Sequence, residues 1–325
     1  MTRVESGRVG WGWSNGPGCG DDVEMPGRPA RRTPPLLSGL TVTALSLATL
    51  AGGAAPAIAV PAIAVPAIAA PASVVPSRAD ATPPVPVTTA SDATTVTSVP
   101  TVGALFFPSV LGVAVLLGLP HECSGSVVHS PGHNLVMTAA HCIAGTGFGF
   151  EFAPGYHDGV APYGVWSVRR VYVDDAWLKH QDPQHDYAFL EMARAPWHGV
   201  TRAIEDVTGA YLLGSAPAPG ATVTVDGYLA GSGGSPITCT ATVYYTAGFP
   251  SFGCSGFAAG TSGGPWSSGN QIVGVIGGLH QGGCTDGTSY SSAFGTDTSA
   301  DWERAVSGGP ANSLPLAGPD GCAAG

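Results

Sequence analysis

The sequence predicts an all-β fold in which many short strands are joined by tight turns. Glycine and proline make up 48 and 29 of the 325 residues, and both destabilise the interior of a helix. From Cys123 onward, short apolar runs alternate with turn clusters such as Ser130-Pro131-Gly132, a pattern typical of β-sandwiches and β-barrels. Together these observations exclude a helical bundle and a coiled coil.

The N-terminal third has the composition of targeting and linker sequence. In residues 25–59, three arginines precede an apolar core at 36–50, and Ala57-Ile58-Ala59 fits the small-x-small cleavage pattern of a secretory signal peptide. Two prolines follow the twin arginines, which favours the Sec route over Tat. We interpret residues 1–24 as an over-extended gene start, with a long n-region as the alternative. Residues 60–101, rich in Ala, Pro and Thr, are expected to be a linker or a removable pro-segment.

The apolar run 102–119 has two interpretations. Its length would allow a transmembrane helix, but Pro108 and three glycines interrupt it. We therefore expect an opening strand followed by an apolar insertion in a loop, and no stable membrane anchor.

Further apolar runs predict the remaining strands, and the C-terminal part predicts one helix. Thr298 and Asp301 resemble a capping box, which predicts a short helix over residues 299–306. The Gly/Pro-rich tail, residues 310–325, is expected to be loose except where Cys322 holds it. The predicted strands lie in residues 126–128, 135–137, 165–173, 187–192, 221–228, 237–245, 272–276 and 289–294.

Charge and cysteine content limit the possible partners and sites. The chain has 22 Asp+Glu against 12 Lys+Arg, a formal net charge of −10. Because binding to a phosphate backbone needs clustered Lys and Arg, nucleic acid is not an expected partner. No two of the seven cysteines form a CxxC pair, so a zinc ribbon is not supported. If a leader carrying Cys19 is removed, six cysteines remain, and an even number in an exported chain indicates disulfides.

Three segments carry candidate chemistry. Thr138-Ala139-Ala140-His141-Cys142 directly follows a predicted strand, and His185-Asp186 stands at the head of another. Gly260-Thr261-Ser262-Gly263-Gly264-Pro265 is a glycine-rich turn around a serine. A serine hydroxyl needs an adjacent base to become nucleophilic, and that base needs a third group that holds its tautomer. Together the three segments supply a base, an orienting carboxylate and a nucleophile.

These motifs, in this order, resemble those of the chymotrypsin/trypsin-like serine peptidases over residues 102–309. The resemblance implies two six-stranded antiparallel Greek-key β-barrels, at about 102–207 and 219–309, and a short C-terminal helix. Further segments look most like secreted actinobacterial trypsin-like peptidases, which are related to glutamyl endopeptidases. These segments are residues 103–106, 154–159 and 289–291.

Carried over residue by residue, the resemblance implies a catalytic triad. His141 matches the general base, Asp186 the orienting carboxylate and Ser262 the nucleophile. Asp182 is the alternative acid, but an apolar strand follows Asp186 directly. The oxyanion hole would be formed by the backbone N–H groups of Gly260 and Ser262. The resemblance implies protein or peptide substrates, no cofactor and no metal, and we expect a monomer.

The six cysteines of the expected mature chain are assigned to three disulfides. One pair matches the disulfide that the family has beside its catalytic histidine, one flanks two aromatic dipeptides, and the last is paired by elimination. A zinc site formed by His121, Cys123, His141 and Cys142 is the alternative. The expected disulfides are Cys123–Cys142, Cys239–Cys254 and Cys284–Cys322.

Two positions depart from the family pattern. Most animal members have an Asp before the nucleophile, where it pairs with the new N-terminus after zymogen cleavage. Thr261 stands there, so we expect this activation switch to be absent. Trypsins place an Asp six residues before the serine, but Gly256 stands there, so a Lys or Arg preference at the cleaved bond is not supported. The candidate pocket residues are Gly256, Gly277, Gly278 and His280, where His280 leaves open either glutamate specificity or a surface-loop role.

Two other functions compete with a secreted serine endopeptidase. The turn around Ser262 also fits the G-x-S-x-G motif of an α/β-hydrolase esterase. That fold requires the order serine, acid, histidine, whereas the order here is histidine, acid, serine. The second alternative is a secreted binding module on a trypsin-like scaffold that has lost its activity. The presence of all three triad residues favours the endopeptidase.

Overall fold

The computed structural model describes residues 91–109, 113–231 and 233–322, and most of the regular structure within them is strand. The all-β prediction is therefore confirmed. The predicted gene start, the signal peptide and residues 60–90 of the predicted linker lie outside the described residues.

The described residues before position 215 contain eleven strands and two short helices. The helices are α1 (Asp175–His180) and α2 (Glu205–Thr208). The strands are β1 (Ser91–Asp92), β2 (Thr94–Thr95), β3 (Val102–Phe106), β4 (His121–Val128), β5 (Leu135–Thr138), β6 (Glu151–Pro154), β7 (Trp166–Tyr172), β8 (Ala188–Met192), β9 (Ala195–Trp197), β10 (Val200–Arg202) and β11 (Leu212–Leu213).

The described residues after position 215 contain seven strands and one longer helix. The helix is α3 (Thr296–Val306). Three 3₁₀ turns also occur in the described chain, at Ala140–Cys142, Pro183–His185 and Leu279–Gly282. The strands are β12 (Thr222–Gly227), β13 (Ile237–Thr242), β14 (Tyr244–Thr246), β15 (Phe249–Ser255), β16 (Pro265–Ser268), β17 (Gln271–Val275) and β18 (Thr288–Tyr290).

The first barrel is a closed, fully antiparallel ladder. Its strand order is β3-β4-β5-β8-β7-β6, and β6 pairs with β3 to complete the ring. Its interior is apolar and includes Leu105, Phe152 and Leu190, all with no exposed surface. Gly103 allows β3 to lie close to β6, because a Cβ there would come within 2.6 Å of the Phe152 ring. This closed six-stranded barrel agrees with the predicted fold class.

The second barrel is built from two sheets. One has the order β11-β17-β16-β12-β13-β2, and in the other β15 pairs with β1, β14 and β18. The Cys239–Cys254 disulfide links β13 to β15, while Val225, Phe252 and Trp266 pack in the core between the sheets. The prediction was one closed six-stranded barrel. Several of these strands have only two or three residues, so side chains and a disulfide, rather than a continuous ladder, close the barrel.

The last part of the predicted linker belongs to the second barrel. Strand β1 pairs with Cys254 and Ser255 of β15, and β2 pairs with β13. The backbone N–H of Ala93 donates to the Ser255 carbonyl at 2.9 Å, and that of Val96 donates to the Pro236 carbonyl at 2.9 Å. Its Pro/Ala/Thr-rich composition gave no sign of this pairing, because the bonds are made by the backbone.

The apolar run at 102–119 begins with the expected strand. All five residues of β3 are buried, whereas Leu116 and Leu117, in the turn that follows, are 83% and 63% exposed. Residues 110–112 lie outside the described residues. In the described part of the chain, no helix is both long and apolar enough to cross a membrane.

Helix α3 confirms the predicted C-terminal helix but starts at Thr296 rather than at residue 299. The Thr298 side chain accepts a hydrogen bond from the Gly295 N–H at 3.2 Å, so it caps the helix from inside the first turn. The helix packs on β7 and β8 of the first barrel. There the Trp302 indole N–H donates to the His129 carbonyl at 2.9 Å, which ties the C-terminal part of the chain to the first barrel.

Three disulfides are present in the described part of the chain, between the same pairs of cysteines that were assigned from the sequence. The first joins β4 to the 3₁₀ turn at Ala140–Cys142, and the second joins the two sheets of the second barrel. The third holds the C-terminal tail to the loop that follows β17. The bonds are Cys123–Cys142, Cys239–Cys254 and Cys284–Cys322.

His121 is a buried histidine in an aromatic cage. Its side chain has no exposed surface, and its ring packs edge-on against Phe106, Tyr156 and Tyr228 at centroid distances of 5.6, 5.7 and 5.7 Å. Neither ring nitrogen has a hydrogen-bond partner among the described residues. Burial disfavours the charged ring and lowers the pKa of His121 from 6.5 to about 4.

The pairing of β1 and β2 predicts that residues 91–101 contribute to stability. A chain that starts at Val102 would lose the Ala93 and Val96 hydrogen bonds and the cover over β13 and β15. We expect a loss of about 2 kcal/mol, which lowers Tm by roughly 4–8 °C in a domain of this size. Differential scanning calorimetry of chains starting at Ser91 and at Val102 measures this. Equal Tm values would contradict the structural role of the two strands.

The cage around His121 predicts acid-sensitive stability. Because the folded pKa lies below the unfolded one, the unfolded state binds more protons between pH 6.5 and about 4. The contribution of neutral His121 to the free energy of unfolding is complete above pH 6.5 and is lost as the pH falls through about 4. Relative to His121→Phe, the wild type should lose up to about 3 kcal/mol of unfolding free energy between pH 7 and pH 4. Urea titrations measure the difference, and His180→Phe, at an exposed helix end, is the control. Parallel pH curves for wild type and His121→Phe would refute the effect.

Candidate active site

His141 lies in a short turn that leaves the first barrel. Strand β5 ends at Thr138, and the 3₁₀ turn Ala140–Cys142 follows directly. Cys142 bonds to Cys123 on β4, so the turn is covalently held against the barrel. The His141 side chain keeps only 9% of its surface exposed. Its position is therefore set by the strand before it and the disulfide after it.

Asp186 is a buried carboxylate that accepts three N–H groups. It ends the 3₁₀ turn Pro183–His185 and has no exposed surface. Its Oδ1 accepts the His141 backbone N–H at 2.9 Å. Its Oδ2 accepts from His141 Nδ1 at 2.8 Å and from the Gly278 backbone N–H at 2.9 Å. Because a carboxylate only accepts, Nδ1 carries the proton, and Nε2 of the neutral ring is left as an acceptor.

Ser262 lies in the glycine-rich turn between β15 and β16. The turn is closed by the Gly264 N–H donating to the Thr261 carbonyl at 2.8 Å, and the Gly263 N–H donates to the Ile276 carbonyl at 2.7 Å. Gly263 has φ +78°, and a Cβ there would lie 2.1 Å from Thr138 Oγ1 and 2.3 Å from the Ser124 carbonyl oxygen. The close approach of this turn to the first barrel therefore requires glycine.

Two backbone N–H groups of this turn lack an acceptor. Within the described residues, neither the Gly260 N–H nor the Ser262 N–H donates to a protein group. Gly260 has φ +95°, and a Cβ there would lie 2.0 Å from the Ala230 nitrogen, so only glycine gives this conformation. Unpaired backbone N–H groups of this kind can stabilise a negatively charged oxygen.

A cleft of about 450 Å³ brings the candidate residues together. It is lined from the first barrel by Glu122 and His141 and from the second by Gly260, Ser262 and His280. Asp186 lies behind His141, out of contact with solvent. Among the described residues, Ser262 Oγ and His141 Nε2 make no hydrogen bond. Such bonds are often long in free enzymes and tighten when substrate binds.

Of the predicted pocket residues, only His280 is among the described residues that line this cleft. The other three, all glycines, are not among the described residues that line the cleft. A Cβ on Gly277 would meet Asp186, one on Gly278 would meet the backbone of Ser291 and Ser292, and one on Gly256 would meet Ala93. The resemblance placed these glycines in a pocket, but they instead allow close packing behind the cleft. Residues that were not predicted as pocket residues also line the cleft, including Phe257 and Ser289.

The zinc alternative fails on the chemistry of its ligands. The sulfur atoms of Cys123 and Cys142 lie within 4.8 Å of a His141 ring nitrogen. They are bonded to each other, so they offer no thiolate to a metal. His121, the fourth candidate, lies inside its aromatic cage.

Two serines that sequence reasoning missed support the candidate residues. Ser292 Oγ accepts the Asp186 backbone N–H at 3.0 Å. Ser124 Oγ donates to the Gly260 carbonyl and accepts the Tyr228 N–H, both at 2.8 Å, while its N–H donates to the Ser262 carbonyl at 2.7 Å. Ser124 directly follows Cys123 in an apolar strand, and nothing in the sequence distinguishes it from other strand serines.

Comparisons with known proteins identify the domain and the fold. Residues 123–275 match the family model described as a trypsin-like peptidase domain. No curated protein matches the chain. The protease Anisep from Arthrobacter nicotinovorans is 27% identical with a TM-score of 0.53, and the match covers 66% of this chain and 98% of that one. A thermostable serine protease from an extremophilic microorganism is 24% identical with a TM-score of 0.52 and coverages of 64% and 98%.

A human protein shows the same fold at greater distance. Human heparin binding protein is 17% identical, with a TM-score of 0.50 and coverages of 69% of this chain and 99% of that one. The matched domain, the two barrels and the motifs around His141 and Ser262 agree with one another. Residues 123–275 therefore match a trypsin-like peptidase domain, and the described residues have the fold of the chymotrypsin/trypsin-like serine peptidases.

Proposed function

We propose that this protein is a secreted serine endopeptidase with Ser262 as nucleophile. The observation that carries the proposal is the buried Asp186–His141 pair, which shares a cleft with Ser262 and with two unpaired backbone N–H groups. A protein that needed only the scaffold would have no use for a buried charge beside an imidazole, because burying a carboxylate is unfavourable.

In the proposed first half-reaction, Ser262 Oγ attacks the carbonyl carbon of the scissile bond. The hydroxyl proton passes to His141 Nε2, and Asp186 stabilises the resulting imidazolium through the Nδ1–H bond. The carbonyl oxygen becomes an oxyanion and accepts from the N–H groups of Gly260 and Ser262. His141 then donates its proton to the departing amine, which leaves an acyl ester on Ser262.

In the proposed second half-reaction, water cleaves the acyl ester. His141 Nε2 takes a proton from the water, the hydroxyl oxygen attacks the ester carbonyl, and the same two N–H groups hold the second oxyanion. The proton then returns to Ser262 Oγ, and the carboxylic acid product leaves. Each proton step uses the one imidazole that Asp186 orients.

The residue before the nucleophile supports activity without an N-terminal ion pair. Thr261 is buried, and its hydroxyl donates to the Ala258 carbonyl at 2.8 Å. The turn is therefore held by a hydrogen bond within itself. We propose that the domain is active without a freshly cut N-terminus pairing at this position.

Export is the second part of the proposal. Three disulfides in one domain are typical of proteins that fold in an oxidising compartment. The predicted signal peptide at 25–59 would direct the chain there. The alternative, an inactive binding module on the same scaffold, keeps the fold but lacks a reactive serine, so a probe of serine reactivity separates the two.

A fluorophosphonate probe tests the nucleophile directly. We expect the wild type to be labelled and Ser262→Ala and His141→Ala to remain unlabelled, because the loss of either residue reduces the chemical step by roughly 10⁶-fold. Ser268→Ala and His180→Ala, at exposed positions, are the matched controls and should be labelled like wild type. A folded wild type that takes no label, also as a chain that starts at Ser91, would establish the inactive module instead.

Ser124 should act as a positioning residue for the oxyanion site. Ser124→Ala leaves the Gly260 carbonyl and the Tyr228 N–H without partners, which should reduce stability by about 1–3 kcal/mol. Movement of the Gly260 N–H should lower kcat by at least about 10-fold while KM changes little. Ser126→Ala is the control, because Ser126 lies two residues along β4 and its buried hydroxyl has no partner among the described residues. Equal kcat for the two variants would contradict the positioning role.

A further inference from the structure

The C-terminal tail follows a defined path from the first barrel to the second. Near its start, the Asn312 N–H donates to the Val171 carbonyl at 2.8 Å. Leu314 exchanges two backbone hydrogen bonds with Gly145 and is buried in the first barrel's core. At its end, Cys322 is bonded to Cys284 in the loop after β17. The loose tail predicted from composition is therefore a strap, defined here as residues 312–322, that spans both barrels.

Two glutamines, one from each barrel, hold the middle of the strap. Gln181, at the end of α1, donates to the Leu316 carbonyl at 2.9 Å and accepts the Gly318 N–H at 2.6 Å. Gln281, in the loop after β17, donates to the Gly318 carbonyl at 2.7 Å. The strap therefore crosses from one side of the cleft to the other.

Asp320 brings a carboxylate from the strap into the cleft. It lines the same cleft as His141 and Ser262. Its backbone carbonyl accepts from His280 Nδ1 at 3.0 Å, and its Oδ1 accepts the Cys322 N–H at 2.9 Å. The disulfide two residues further on limits how far Asp320 can move. Since Oδ2 makes no hydrogen bond among the described residues, half of the carboxylate is left for a ligand.

The charge around Asp320 favours a cationic group. The described lining of the cleft also contains Glu122 and Asp286, and it contains no Lys or Arg. A cleft lined by charges of one sign concentrates the field and attracts the opposite charge. His280 is held against the strap by its bond to the Asp320 carbonyl.

We propose that the strap is a wall of the substrate cleft and that Asp320 is a specificity-determining residue for a Lys or Arg side chain of the substrate. This inference rests on the proposed peptidase function. It assigns the basic residue to the substrate position that lies against the strap. This position is separate from Gly256, which stands where trypsins have their specificity-determining Asp. It also makes the Cys284–Cys322 disulfide a requirement for that selectivity, because the bond holds Asp320 in place.

Substrate profiling of the full chain tests the proposal. An internally quenched peptide library compares Lys or Arg with Gln at each position around the cleaved bond, for wild type, Asp320→Asn and Asp320→Lys. We expect wild type to prefer the basic residue at one position by about 3- to 10-fold in kcat/KM. Asp320→Asn should remove this preference, Asp320→Lys should reverse it, and raising the salt concentration should weaken it in wild type.

The controls separate this inference from the proposed function. Glu303→Gln removes an exposed carboxylate on α3 and should leave the profile unchanged. Cys284→Ser with Cys322→Ser should reduce the same preference while cleavage of a neutral peptide persists. An unchanged profile in Asp320→Asn, or a wild-type preference for glutamate at that position, would overturn the role of Asp320. Failure of wild type to react with the fluorophosphonate probe would instead overturn the peptidase activity on which the inference rests.

Discussion

The buried Asp186 carboxylate is the constraint on which the rest of the site depends. Its charge is removed from water and has no Lys or Arg partner among the described residues, so N–H donors alone stabilise it. Two donors come from His141 in the first barrel and one from Gly278 in the second. If the barrels separated, this charge would lose part of its solvation. The same interaction therefore orients the imidazole and holds the two halves of the site together.

Strand β4 links the turn that carries His141 to the turn that carries Ser262. Cys123 is bonded to the turn that carries His141, and the next residue, Ser124, makes hydrogen bonds to the carbonyls on either side of Thr261. The turn that carries His141 and the turn that carries Ser262 are thus tied to adjacent positions of one buried strand. Gly263 is required because the turn that carries Ser262 approaches the first barrel too closely for a Cβ, and Gly260 is required because the backbone of Leu229 and Ala230 lies directly against it. The strap adds a third link between the barrels, and its Asp320 lines the cleft.

The local turns that short contiguous motifs encode were predictable from the sequence. Contacts between residues far apart in the chain were not. The segments around His141, Asp186 and Ser262 each encode a local turn, and their order indicated the family, the first barrel and the C-terminal helix. Ser124 bonds to Gly260 across 136 positions, and Ser292 bonds to Asp186 across 106, so no local pattern marks these serines. Strands β1 and β2 and the strap were missed because backbone groups and a disulfide hold them, whereas the composition of these segments is typical of loose chain. Three of the predicted pocket residues do not line the cleft, because the resemblance that placed them there does not show which side of each backbone segment faces the cleft.

The most direct test of the proposed catalytic triad is the rate at which a fluorophosphonate modifies the Asp186→Asn variant. An amide in place of the carboxylate keeps the shape but can donate to Nδ1, which favours the tautomer whose Nε2 cannot accept the serine proton. We expect a folded variant with three disulfides whose Ser262 reacts about 10⁴-fold more slowly than in wild type. Reaction at a rate close to wild type would show that Asp186 does not set the tautomer of His141. It would contradict the proposed catalytic role of the Asp186–His141 pair.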